Sequence, residues 1–205
     1  MIYDQEFYTF GDNTFSNRGF TWAASIHPRS EVVHQICPTC GSVKHYPIGE
    51  FDVTVERGSK YPDILGCGAF PFLIVSEKVV RAWKGAGLSC FHTYDIGVVG
   101  IKSTKLRNEI PPAYFRIEID GRCQIDLEAS GAKIIRFCPD CQHLETVPPV
   151  ITNFRMIPDS WDGSSLFRDI RLYPCVNFCT QNILDIVFQQ ELTNFFFEPG
   201  ALHVE

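Results

Sequence analysis

Two Cys-x-x-Cys pairs constrain this chain more than any other feature. Cys37-Pro38-Thr39-Cys40-Gly41 recurs about a hundred positions later as Cys138-Pro139-Asp140-Cys141-Gln142. A Cys-x-x-Cys turn points both thiolates to one side. Two such turns can therefore complete the tetrahedral four-sulfur shell that zinc favours. Each pair follows an apolar, strand-like segment (31–36 and 133–137), as ribbon knuckles do, and Gly41 can take the positive φ that turns backbone amides toward the sulfurs. Closing so long a loop costs about 4 to 5 kcal/mol of chain entropy. Structural zinc in small finger peptides is worth roughly 10 to 16 kcal/mol, so the metal can offset the closure. The expectation is one structural Zn2+ on Cys37, Cys40, Cys138 and Cys141. Four thiolates leave no open position for water, which argues against a catalytic zinc.

Other readings of the cysteines compete with this one. A thioredoxin-like pair opens a helix after a strand, but Pro47 and Gly49 follow the first pair and Pro148 and Pro149 the second. Free cysteines packed as small hydrophobes are a further alternative. His143-Leu144-Glu145, followed by Pro174-Cys175-Val176-Asn177-Phe178-Cys179, resembles the zinc deaminase pattern. The cysteine spacing there is one residue too long. The prolines after His143 block the helix such a site requires, and the helix that follows starts only at Thr180. The spacing leaves open whether His143, Cys175 or Cys179 joins a metal site. The chain has no phosphate-binding glycine loop and no Gly-x-Ser-x-Gly elbow, and no catalytic residue is expected.

Charge narrows the partners. The net charge is −6, with no basic run. Nucleic-acid affinity rests on Lys and Arg neutralising phosphates, so direct nucleic-acid binding is disfavoured. An acidic surface suits a basic protein partner, although mild acidity also simply keeps a protein soluble. Met1 to Glu6 is acidic where a signal peptide is basic, and no apolar run approaches the roughly 20 residues of a membrane span. The expected location is the cytoplasm, where nine cysteines are not a disulfide framework.

The hydrophobic pattern gives an α+β fold: mostly antiparallel or mixed sheet, two main helices and the pair of knuckles. Strands are expected at 2–10, 31–36, 70–75, 90–99, 133–137 and 195–197. Pro112–Ile119 and Cys123–Leu127 read as a hairpin about Asp120-Gly121. Ser76 caps a helix with Val79, Val80 and Trp83 on its inner face. Thr180 caps a second, Gln181–Leu192, with Ile183, Leu184, Val187 and Phe188 on one face. The seventeen Phe residues read first as core. Residues 1–205 read as one domain, divisible into a zinc-ribbon-like lobe (about 1–65 with 130–160) and a sheet/helix lobe (66–129 with 161–205).

Taken in order, these landmarks resemble the double-CXXCG-motif family best known from myxobacteria, whose members are immunity proteins to polymorphic toxins. The resemblance runs through Cys37–Gly41, then Gly68-Ala69-Phe70 leading into Phe72–Val75 and the Ser76 helix. It continues through Tyr114-Phe115-Arg116-Ile117-Glu118, Cys138–Cys141 and Leu166-Phe167, and ends at Leu192–Pro199. It covers nearly the whole chain. Gln142 stands where the family often has Gly, and Ser165 where an acidic residue is expected. The resemblance implies neutralisation of a cognate toxin domain by direct binding. Such a toxin would be basic, for example a nuclease or deaminase domain. The polar loop 158–167, with Trp161, Asp162 and Phe167, is the first candidate surface, because Trp is favoured at hot spots. The alternatives are a zinc deaminase using His143, Glu145, Cys175 and Cys179, and a general zinc-ribbon adaptor.

Overall fold

A computed structural model describes residues 7–13, 18–29, 34–45, 50–67, 72–147, 151, 153–172 and 176–202. In chain order the first strands are β1 (Phe7–Asp12), β2 (Trp22–Pro28), β3 (His34–Ile36), β4 (Val43–His45), β5 (Phe51–Glu56), β6 (Ile64–Leu65) and β7 (Leu73–Ser76). Helix α1 (Glu77–Gly85) follows, then β8 (Phe91–Ile101), β9 (Tyr114–Ile119), β10 (Gly121–Arg122), β11 (Lys133–Phe137), β12 (Leu144–Val147) and β13 (Arg155–Met156). The chain closes with β14 (Leu166–Arg168), β15 (Asn177–Thr180), α2 (Gln181–Gln189), β16 (Phe195–Pro199) and β17 (Ala201–Leu202). The molecule is sheet-rich and mixed, with two α-helices among the described residues.

Two sheets carry the packing. One has six strands in the order β2-β5-β8-β9-β7-β6, and the other five in the order β10-β14-β15-β1-β16. A core around Trp83 lies between them. It takes Leu73, Val75, Ile117 and Ile119 from the first sheet, Phe10, Leu166 and Cys179 from the second, and the inner faces of both helices. The outer face of the six-stranded sheet is closed by Phe51, Val53, Val55 and Tyr114. The outer face of the five-stranded sheet is closed by Phe7, Phe154, Phe167 and Phe178. Phenylalanine thus fills this last core as the composition suggests, in edge-on and stacked pairs such as Phe7–Phe178 (5.8 Å between centroids) and Phe167–Phe178 (5.8 Å). The six-stranded sheet runs across the division at 65/66 that a two-lobe reading draws, because β5 pairs in parallel with β8.

The first helix forms as its sequence pattern predicts. Val79, Val80 and Trp83 are buried, Glu77 sits in the first turn and Lys84 in the last, each on the side the helix dipole favours. Ser76 is not a side-chain cap, however. Its hydroxyl donates to Asp63 Oδ1 at 2.8 Å, tying the helix start to the loop before β6. The second helix is shorter than expected. It stops at Gln189 because Glu191 enters the left-handed region (φ 49°). Thr180 makes no side-chain cap either. The buried face of α2 is Ile183, Ile186 and Val187, which leaves Phe188 71% exposed.

The expected hairpin about Asp120-Gly121 does not form. β9 is already paired on one side with β8 and on the other with β7, so neither edge is open to a returning strand. The chain instead crosses to the second sheet, where β10 pairs in parallel with β14 (Gly121 opposite Phe167). Gly121 is required there, since a Cβ would lie 2.1 Å from the Leu166 carbonyl oxygen. The crossover also brings Arg168 to Glu118 (3.6 Å), which faces Arg116 as well (3.7 Å). Arg116 lies over the Tyr94 ring at 4.1 Å.

Candidate metal centre

Two small hairpins, β3–β4 and β11–β12, present the four cysteines to one another. Their turns are built alike. In the first, Gly41 N–H donates to the Cys37 carbonyl (2.8 Å) and Cys37 N–H to the Ser42 carbonyl (2.9 Å). In the second, Gln142 N–H donates to the Cys138 carbonyl (2.8 Å) and Cys138 N–H to the His143 carbonyl (2.9 Å). Both turns pass through the left-handed region at the residue after the second cysteine, Gly41 at φ 71° and Gln142 at φ 61°. The turn therefore needs no glycine at position 142, but a side chain there carries a steric penalty of roughly 1 to 2 kcal/mol. Gln142→Gly is expected to raise stability by up to about 1 kcal/mol, and Gly41→Gln to lower it comparably. Urea melts of the two variants check this. A destabilised Gln142→Gly would mean that the Gln142 side chain makes compensating contacts.

The four Sγ atoms lie within 4.8 Å of one another. Cys37 faces Cys138 at 3.7 Å and Cys40 faces Cys141 at 3.4 Å. Four sulfurs about 2.3 Å from a central zinc in tetrahedral array stand about 3.8 Å apart, so the set fits such an ion with little movement. The four thiols are free. Cys37 and Cys138 are buried, while Cys40 and Cys141 are half-buried at the rim.

Polar neighbours tune and brace the cluster. The Ser42 hydroxyl lies 3.4 Å from Cys141 Sγ and 3.2 Å from Cys40 Sγ. The hydrogen bond shared with Ser42, with smaller help from the His143 backbone N–H, lowers the Cys141 thiol to about 6. Cys40 is lowered for the same first reason. The Cys141 backbone N–H pulls Cys138 down, but desolvation and its neighbouring thiols prevail and hold it at about 11. Thr39 Oγ1 donates to an Asp140 carboxylate oxygen across the gap between the turns. Arg136 donates to the Cys40 carbonyl (2.9 Å) and lies 3.7 Å from Glu145. Ser42, Asp140 and Arg136 thus touch the cysteine turns, a placement that motif reading does not give. The only signal for them is the shared five-residue reach of the two turns, which puts Ser42 where the second turn has His143.

Among the described residues no member of the deaminase-like set joins the sulfur cluster. His143 closes the second turn through its carbonyl and points its ring at Glu145 (3.2 Å). Cys179 lies in the central core, fully buried, and burial pushes its thiol up. Cys175 lies outside the described residues. Cys123 is likewise a core thiol, raised to about 12 by desolvation first.

The loop singled out for a partner divides in two. Phe167 is completely buried in the aromatic core, so it presents no surface to a partner. Trp161 is half-buried, tilted on Phe167 at 5.6 Å, and donates from its indole N–H to the Ser164 carbonyl (3.0 Å). Asp162 is exposed, but its carboxylate accepts from the backbone N–H groups of Arg122 and Ser164 and so shapes its own loop. Among the described residues, half of the exposed large apolar side chains lie on the metal-bearing hairpins, among them Ile36 (65%), Ile135 (62%), Val147 (54%) and Phe137 (44%), while the others, such as Ile110 and Phe188, are scattered. Among the described residues no helix is long and apolar enough to cross a membrane. The chain matches no protein-family model, and a search of curated proteins finds no match to it.

Proposed function

We propose that Cys37, Cys40, Cys138 and Cys141 hold one structural zinc ion, and that the chain neutralises a cognate toxin domain by direct binding. The metal half of this reading is carried by one observation: two turns of the same hydrogen-bonded design bring four sulfurs within 4.8 Å. A complete thiolate shell offers no site for substrate or water, so the ion would clip distant segments together rather than catalyse. The toxin half is supported by the ordered resemblance of the sequence, by the net charge of −6 and by the exposed apolar side chains on the two clipped hairpins. Apolar residues gathered on one part of a surface mark interaction sites more often than scattered ones do. In this reading the zinc holds Ile36 and Ile135 in place to meet the partner. The protein would act in the cytoplasm of the cell that makes the toxin.

The test is co-expression with the toxin domain encoded beside this chain, followed by pull-down and a survival assay. Protection with an affinity of about nanomolar or tighter is expected. Ile135→Asp with Phe137→Asp should weaken the complex roughly a hundredfold, the loss of two central apolar anchors. Trp161→Ala should weaken it less. Absence of both binding and protection with every adjacent toxin would reject the immunity role and leave the metal centre standing on its own test.

A further inference from the structure

The six-stranded sheet contains one parallel pair, β5 and β8, and the loops leaving the carboxyl ends of both strands meet in an open cleft of about 540 Å³. Two parallel neighbours send their following loops out of the same end of the sheet, and here those loops stand far enough apart to leave the crevice between them. This cleft is a built feature. Ser59 N–H donates to the Gly19 carbonyl (2.9 Å), and the Ser103 hydroxyl donates to the Gly58 carbonyl (2.7 Å), so three chain segments are tied together at its base. Arg57 and Gly58 are both left-handed (φ 57° and 67°). A Cβ on Gly58 would lie 2.3 Å from the Phe20 carbonyl carbon, so only glycine allows this closure.

The charge of the cleft opposes that of the molecule. Arg18, Arg57, Lys102 and Lys105 all line it, against one carboxylate, Glu56. Glu56 is paired with Lys102 at 3.6 Å. The Arg57 guanidinium is steadied over the Trp22 ring at 4.5 Å, a placement that orients it without neutralising it. The hydroxyls of Ser59 and Thr104 add neutral donors. A chain with net charge −6 has therefore gathered four of its 18 basic residues around one concavity. Like charges repel, and a cleft focuses their field, so such a cluster selects a multivalent anion. Guanidinium, ammonium and hydroxyl donors together match phosphate oxygens.

We infer that this cleft binds a small anion carrying two linked phosphates, either free diphosphate or the diphosphate of a nucleotide. The inference rests on neither the metal nor the toxin reading. Isothermal titration of the full chain at low salt, with inorganic pyrophosphate, ADP and adenosine, tests it. Pyrophosphate and ADP should bind and adenosine should not. Equal affinity for the first two identifies the diphosphate alone as the ligand, and tighter ADP binding identifies a nucleotide. Arg57→Ala with Lys105→Ala should weaken binding by roughly a hundredfold, about tenfold for each charged hydrogen-bond donor lost. Glu56→Gln should strengthen it. Arg57 and Lys105 are exposed and Glu56 is half-buried, and a melt of each variant confirms its fold. Absence of pyrophosphate binding overturns the inference. So does an equal loss in the control Lys84→Ala with Lys133→Ala, or tighter binding of a single-stranded oligonucleotide than of pyrophosphate.

Discussion

Replacing Cys138 by Ser is expected to release the metal and cost the protein about 4 to 5 kcal/mol, the chain-entropy value of a link that closes a loop of about a hundred residues. That is a large share of the roughly 5 to 15 kcal/mol available to a folded domain. For a chain of this size it corresponds to a fall in Tm of roughly 10 to 15 °C. The cost falls on one place. The two turns touch through their sulfurs, the Thr39–Asp140 hydrogen bond and the reach of Arg136 to Cys40. Without the metal, four thiols within 4.8 Å of one another are left crowded in a part-buried cluster. A strong chelator should lower the Tm of the wild-type chain by a similar amount, and should add little to Cys138→Ser, because both remove the same link. Metal analysis of the purified protein should give one zinc per chain. A Cys138→Ser variant that keeps a full equivalent of metal and its normal melting temperature would refute the centre. Loss of metal without loss of stability would mean that the wild-type chain binds the ion without relying on it to hold the fold.

Phe167→Ala is expected to cost about 3 to 5 kcal/mol, as for other fully buried aromatics cut to a methyl group. Phe167 is 0% exposed and meets Phe7, Trp161 and Phe178 at 6.2, 5.6 and 5.8 Å. Its strand, β14, also carries the crossover pairing with β10. A cavity there removes the support beneath Trp161 as well. The consequence for binding studies is specific. Any loss of protection in Phe167→Ala should follow the unfolded fraction, and Phe167→Leu, which keeps most of the volume, should recover both stability and protection. Trp161→Ala should be milder, because half of that side chain already faces solvent. Urea melts of the three variants decide the matter. A Phe167→Ala protein that melts like the wild type yet fails to bind would restore Phe167 as a contact residue.

What the sequence determined by itself is local. A Cys-x-x-Cys turn needs only a few residues and one left-handed position, so both turns could be read directly, and the cluster followed from there being two of them. Helix α1 was legible for the same reason, since Val79, Val80 and Trp83 repeat at helical spacing within nine residues. A strand such as β7 announces itself by a short apolar run. Tertiary structure decided everything that depends on which edges and faces are already taken. Asp120-Gly121 looks like a hairpin turn, but β7 and β8 already occupy both edges of β9, so the chain crosses to another sheet. Ser76 and Thr180 look like helix caps, yet neither side chain caps its helix, and the Ser76 hydroxyl is taken by Asp63. Phe167 and Phe188 are the same residue type in apolar surroundings, but one is buried and the other 71% exposed, because sheet pairing and helix rotation set which way each points. The basic cleft is the clearest case. Arg18, Arg57, Lys102 and Lys105 form no run in the sequence, and only the parallel pairing of β5 with β8 brings the loops that carry three of them to one place.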